Sequence, residues 1–142
     1  MSMELELDEL NEIVRDVFAS LAGEDLSPSQ ISDMDVFRSG RISVDGAEPA
    51  IITLEGNREI VAAVTAVMFD GDPDEMDDLQ MSDAWAELTN MVGGNIKCLL
   101  ADEGHLGLPE VGDGPQVGDR PPAAEQAYRR GPERLRCRVY PR

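Results

Sequence analysis

The chain has 142 residues, 42% of them hydrophobic and 4% aromatic, a size and composition that suit one domain with a real core. Its formal net charge is −17: residues 1–116 hold 5 basic and 26 acidic residues and so carry −21, whereas residues 117–142 hold 7 arginines and 3 acids and carry +4. An acidic body of this strength repels nucleic-acid phosphates and anionic lipid, which argues against a nucleic-acid or membrane partner, and no apolar run approaches the roughly 18–20 residues that span a bilayer.

The amino end, MSMELELDEL, is acidic where a secretory leader would be basic and then apolar, so the expected location is cytoplasmic. Residues 5–21 place Leu7, Leu10, Ile13, Val14, Val17, Phe18 and Leu21 at helical spacing, with Gly23 as the stop. A polar loop containing Pro28 leads to two β-rich runs, 36–44 and 50–54, joined as a hairpin through Asp45-Gly46. Residues 57–69 put Ile60, Val61, Val64, Val67 and Met68 on one side of a second helix.

The next nine residues, DGDPDEMDD at 70–78, hold six acids. Asp70, Asp72 and Asp74 have the alternate spacing of calcium-loop ligands, but position six is Glu75 in place of glycine and position twelve is Met81 in place of glutamate. The segment therefore reads as an acidic linker whose last aspartates cap a third helix over 79–100. Beyond it come a strand over 106–111, a Gly/Pro-rich turn region, and a terminal hairpin whose second strand, 134–140, alternates Leu135, Cys137 and Val139 with outward-facing arginines. The arginines can alternatively be a small anionic contact. The expected fold class is α+β, with helices packed on a largely antiparallel sheet, in a single domain over 1–142 that ends in an Arg-rich hairpin at 117–142. Cys98 and Cys137 lie far apart with no CxxC or His-rich partner sequence, which predicts reduced thiols and no metal site.

The third helix contains the stretch SDAWAELTNMVGGN at 82–95. At about 100° per residue, Asp83, Glu87, Asn90 and Gly94 fall within roughly 60° of one another, and Trp85, Leu88, Val92, Ile96 and Leu99 gather opposite. The apolar set is expected in the core, with Trp85, Leu88, Val92 and Leu99 buried and Glu87 and Asn90 exposed. Helices commonly expose Glu and Asn, but asparagine is a poor interior residue and each glycine costs about 1 kcal/mol relative to alanine, so an idle wet face does not account for this composition. Close approach does: Gly94 leaves room for a partner's backbone on the same stripe as Asn90, and Gly93 lets another element of the chain pack tightly.

The pattern Asp83-x3-Glu87-x2-Asn90, continued by Met91-Val-Gly-Gly-Asn95, resembles the signature helix of the CheX, CheC and FliY family of chemotaxis phosphatases. The order of helices, acidic connection and later LPEV strand is similar to that of CheX over roughly residues 5–140. The resemblance implies hydrolysis of the aspartyl phosphate on a CheY-like response regulator. In it, Asn90 is implied to orient the attacking water, Glu87 to pair with the regulator's lysine, and Asp83 and Gly94 to lie at the contact. It implies no cofactor of the chain's own, Mg2+ on the regulator, and a homodimer built through sheet strands, for which the terminal hairpin is the expected contact because its strands would otherwise leave an unpaired edge. CheC-type members carry a proline downstream of the motif; here Pro109 and Pro115 stand on either side of its place, which favours a CheX-like relationship. Asp8-x3-Glu12-x2-Arg15 on the first helix is either a relic of a second motif or a chance pattern in an acidic helix, and its arginine cannot accept a hydrogen bond from water as an amide oxygen can. The alternative to an enzyme is a non-catalytic module that binds a response regulator or dimerises as an adaptor.

Overall fold

The computed structural model describes residues 6–22, 26–30, 33–100, 104–115 and 120–142. Helix α1, Leu7–Ala22, buries Leu10, Val14, Val17 and Phe18, the i, i+4, i+7, i+8 set of one face. Gly23, the expected stop, lies outside the described residues. The polar loop around Pro28 contains a strand that periodicity alone does not reveal, β1 at Ser27–Ser29. Strands β2, Arg38–Asp45, and β3, Ala50–Gly56, form the expected hairpin, paired from Arg38 opposite Gly56 to Val44 opposite Ala50.

Helix α2, Arg58–Phe69, starts where the Asn57 side chain accepts the Ile60 N–H at 3.1 Å. It buries Ile60, Val61 and Val64, but Val67 is exposed instead of joining that face. The acidic segment forms a 3₁₀ turn at Pro73–Glu75, with the Asp72 carboxylate accepting the Asp74 N–H. Helix α3, Asp78–Leu100, begins with a reciprocal cap: the Asp77 carboxylate accepts the Gln80 N–H at 2.8 Å, and the Gln80 side chain accepts the Asp77 N–H at 3.0 Å. An aspartate thus caps the third helix as the composition of the linker implies.

The expected strand over 106–111 is two pieces, β4 at His105–Leu106 and β5 at Glu110–Asp113, and the chain closes with β6, Ala124–Arg130, and β7, Glu133–Pro141. Among the described residues, three α-helices pack on one seven-stranded antiparallel sheet in the order β1-β6-β7-β3-β2, with β4 and β5 both along the outer side of β2. The terminal hairpin is therefore not an edge. β7 is paired on both sides, by β3 and β6, and β1 covers the far side of β6.

Helices cover one face of the sheet, which contributes Ile42, Val44, Ile52, Leu54, Leu135, Cys137 and Val139 to the core. Burial pushes the Cys137 thiol up to about 12, so it serves as a core atom and not as a nucleophile. The alternating arginines of β7 do point to the opposite face, where Arg136 and Arg138 are paired with acids and Arg134 donates to the Gly131 and Glu133 carbonyls. Arg136 and Arg138 converge on the fully buried Glu55 at 2.8 and 3.4 Å, and Arg138 also reaches Glu125 at 2.9 Å. Much of the tail's positive charge is thereby neutralised within the chain.

The connectivity repeats once. A helix, an outer strand and a hairpin occur as α1, β1, β2–β3 and again as α3, β4–β5, β6–β7. The outer strand of each half pairs with the hairpin of the other, α1 packs on β6 as α3 packs on β2, and β3 meets β7 at the centre.

Candidate functional site

The orientation of α3 is fixed from beneath. Trp85, fully buried, donates its indole N–H to the Leu54 carbonyl of β3 at 2.9 Å, and Thr89 donates its hydroxyl to the Trp85 carbonyl at 2.7 Å. Thr89 sits directly on Gly40 of β2, where a Cβ would overlap its side chain, and Gly93 sits on Ile42, whose Cγ2 would lie 2.7 Å from an added Cβ. Two small residues, one on each element, therefore let helix and strand approach closely. At the amino end the buried Arg38 guanidinium, stacked 4.2 Å from the Phe37 ring, joins Asp78 at 3.1 Å to Asp113 of β5 at 2.8 Å. The helix cannot roll without breaking several of these contacts.

With its back so held, α3 exposes Asp83 and Glu87 to solvent, whereas Asn90, expected to be exposed, is half-buried on the same stripe, as is Gly94. The four predicted residues are thus brought together. Trp85, Leu88, Val92 and Ile96 are buried as expected, but Leu99 is 45% exposed and Leu100 takes its place in the core. The wheel treats the last turn like the others, but burial there follows which side of the helix the rest of the fold covers, and that side holds Leu100. Among the described residues, the side chains of Asp83, Glu87 and Asn90 make no hydrogen bond or ion pair, while nearby Asn95 spends its amide on the Met91 carbonyl at 2.8 Å.

Gly93 and Gly94 have different reasons. An added Cβ at Gly94 would meet nothing closer than Leu106 Cδ2 at 3.7 Å, ordinary van der Waals contact, so packing within this chain does not require glycine there. The stripe offers two carboxylates that can engage a cation, an uncommitted amide that can both donate to and accept from a water, and open space over Gly94. It contains no nucleophile-and-base pair, and the one histidine, His105, lies exposed on β4. Among the described residues no group of three or more His, Cys, Asp or Glu is arranged to hold a metal ion, and no helix is long and apolar enough to cross a membrane.

Sequence reasoning missed three residues that shape this surface. Gly40 and Thr89 fix the helix, and Leu79, 71% exposed, continues the stripe at its amino end. The wheel carries a signal for Leu79, which falls within about 20° of Asn90. The Gly40–Thr89 contact needs the register of two elements, and no local pattern gives it. On α1, Asp8 and Glu12 are exposed and Arg15 is half-buried, lining an open cleft of about 380 Å³ with Asn11, Asp16 and Pro28.

A family model described as chemotaxis phosphatase CheX matches residues 38–129, which include the whole of α3 and its flanking strands. Among curated proteins, none matches this chain. Several solved structures share the fold at low identity. The chemotaxis protein CheX of Vibrio vulnificus is 18% identical, with a TM-score of 0.78 over 96% of this chain and 95% of its own. A CheC-like protein of Shewanella sp. PV-4 is 20% identical, with a TM-score of 0.77 over 95% and 97%. A CheX–CheY–BeF3–Mg2+ complex from Borrelia burgdorferi is 12% identical, with a TM-score of 0.76 over 98% and 99%.

Proposed function

This chain belongs to the CheX family of chemotaxis phosphatases, and from that premise we propose that it hydrolyses the aspartyl phosphate of a CheY-like response regulator through the α3 stripe. The observation that carries the reading is the placement of Glu87 and Asn90 three residues apart on one outward stripe of a helix locked from behind, with neither side chain committed elsewhere in the described chain.

An acyl phosphate is hydrolysed by an in-line water, with a divalent ion on the phosphoryl oxygens and cationic help for the developing charge. A response regulator brings the Mg2+ ion and a lysine itself, so the phosphatase needs only to place the water and hold the register. Asn90 orients the water through its amide, the part a glutamine plays in GTPases. Glu87 pairs with the regulator's lysine, Asp83 flanks the contact, and Gly94 admits the partner's backbone. A relative of the same fold has been held with CheY, BeF3 and Mg2+, a set in which the beryllofluoride stands in for the phosphoryl group; that supports the choice of partner.

The test is phosphate release from a phosphorylated CheY-like regulator together with binding to the same regulator trapped with beryllofluoride. Asn90→Ala is expected to leave fold and binding intact while turnover drops by on the order of 10²-fold or more, the scale of a lost positioned catalytic group. Glu87→Ala weakens binding as well as rate, because an interfacial charge pair contributes to both. An Asn90→Ala protein that turns over at the wild-type rate removes Asn90 from the chemistry, and a wild-type protein that binds the trapped regulator without releasing phosphate leaves only a regulator-binding adaptor.

A further inference from the structure

The outer strand beside α3 is not regular. Val44 lies opposite Leu106 and Arg41 opposite Glu110, so three steps along β2 are matched by four along its neighbour. The surplus residue falls within 107–109, between β4 and β5, and makes a bulge. Gly107 pins it: its N–H donates to the Ser43 carbonyl at 2.8 Å, and a Cβ there would stand 2.6 Å from Ser43 Oγ.

On either side of the bulge the chain faces the helices. Leu106 packs beside Gly93 and Gly94, and Val111, opposite Gly40 and hence at the level of Thr89, packs against the core. Leu108 lies between them and is turned out to 88% exposure, the highest of the large hydrophobic side chains among the described residues. It therefore stands in water at the level of residues 89–94 along α3, the span that includes Asn90. Leu79, the next most exposed at 71%, lies on the same side of α3 as Asn90, about three turns earlier. Single exposed leucines are ordinary on a protein surface. Here the two most exposed among the described residues lie at the level of one stripe, and one of them is held out by a bulge, a device that re-aims side chains.

We propose that Leu108, with Leu79 as a second contact, docks on the receiver domain of the phosphorylated regulator at the rim of its phosphoryl site. The proposal rests on the phosphatase reading. Asp83, Glu87 and Asn90 supply alignment and chemistry but little apolar area, and the surface continuous with them supplies two uncovered leucines. Both ends of the bulge are tied to β2, so docking Leu108 orders little that is not already ordered, which favours affinity. The partner's matching surface is apolar beside its lysine and metal-bound phosphoryl group.

Leu108→Ala, Leu79→Ala and the double variant are compared with Val67→Ala, an exposed apolar residue of α2 away from the stripe, after thermal melting has confirmed that all four fold. The substrates are the CheY-type receiver domains of the source genome charged with acetyl phosphate, and the binding probe is the same domains with beryllofluoride and Mg2+. Leu108→Ala is expected to raise KM and the dissociation constant about tenfold with kcat changed less than about twofold, the double variant more, and Val67→Ala to match wild type. If wild type releases phosphate and the leucine variants keep its KM, the docking role is overturned and the phosphatase reading stands. If wild type binds a receiver domain in a Leu108-dependent way but releases no phosphate, the docking role stands and the phosphatase reading falls. Absence of both binding and release overturns both.

Discussion

Gly94 separates two explanations for a glycine inside a helix. Packing within the chain would require it only if a Cβ had no room, and the nearest atom is 3.7 Å away. Alanine at this position should therefore stabilise the protein by up to about 1 kcal/mol through helix propensity alone. The same methyl group would project onto the stripe next to Asn90, where the regulator is proposed to approach. The expected outcome for Gly94→Ala is a higher midpoint in urea denaturation together with weaker binding of the beryllofluoride-trapped regulator. Unchanged binding would remove Gly94 from the proposed contact without touching Glu87 or Asn90. Leu99 carries a different lesson at the same scale: helical phase placed it with the core residues, but burial in the last turn depends on which element lies above it, and there Leu100 is covered instead.

At the scale of elements, α3 is a rigid mount. Its seating on β2 depends on Gly40 meeting Thr89 and Gly93 meeting Ile42, and its amino end is tied through Arg38 to β5. Gly40→Ala forces a methyl group into the Thr89 side chain and should cost about 1–3 kcal/mol, the usual range for overpacking a filled core. Because Thr89 is the obstacle, adding Thr89→Ala should recover part of that loss, so that the two changes are coupled and not additive in a denaturant-based double-mutant cycle. Additive effects would mean that the close approach of α3 to β2 is set elsewhere. The linkers obey local chemistry more simply. Asp77 and Gln80 cap α3 reciprocally, and Gly131, at φ 56, provides the left-handed residue that the short β6–β7 turn needs.

For the whole molecule, the sheet places the terminal hairpin in its middle, so the argument for dimerisation through that hairpin's unpaired edge does not hold. Among the described residues, the outer strands of the sheet are β1 on one side and β4–β5 on the other. Homodimerisation remains a proposal drawn from the family resemblance, with an edge strand as its more natural contact, since an exposed ladder of N–H and C=O groups invites pairing. Light scattering at micromolar concentration is expected to give twice the 15.5 kDa of one chain. A mass of one chain would exclude the dimer while leaving the α3 stripe complete within a single subunit. The repeated connectivity also gives the α1 pattern a place, because α1 occupies on β6 the position that α3 occupies on β2. In the spacing of the α1 pattern Arg15 takes the place of Asn90, and an arginine cannot accept a hydrogen bond from water as an amide oxygen can.

The sequence by itself determined the class of the fold, the three helices, both hairpins and the residues of the stripe, because each rests on local periodicity, capping or turn chemistry. Trp85, Leu88 and Val92 were legible as core, and Glu87, Asn90 and Gly94 as an unexplained face, for the same reason: a helix reports its two sides at 3.6 residues per turn. Only the tertiary structure decided that β7 lies inside the sheet, that the three-residue β1 exists, and that the strand over 106–111 is broken by a bulge exposing Leu108. It also decided that Arg136 and Arg138 neutralise a buried Glu55 and that Gly40 makes room for Thr89. Each of these depends on which strands become neighbours, and strand partners distant in sequence are chosen by the sum of many contacts that no local pattern records.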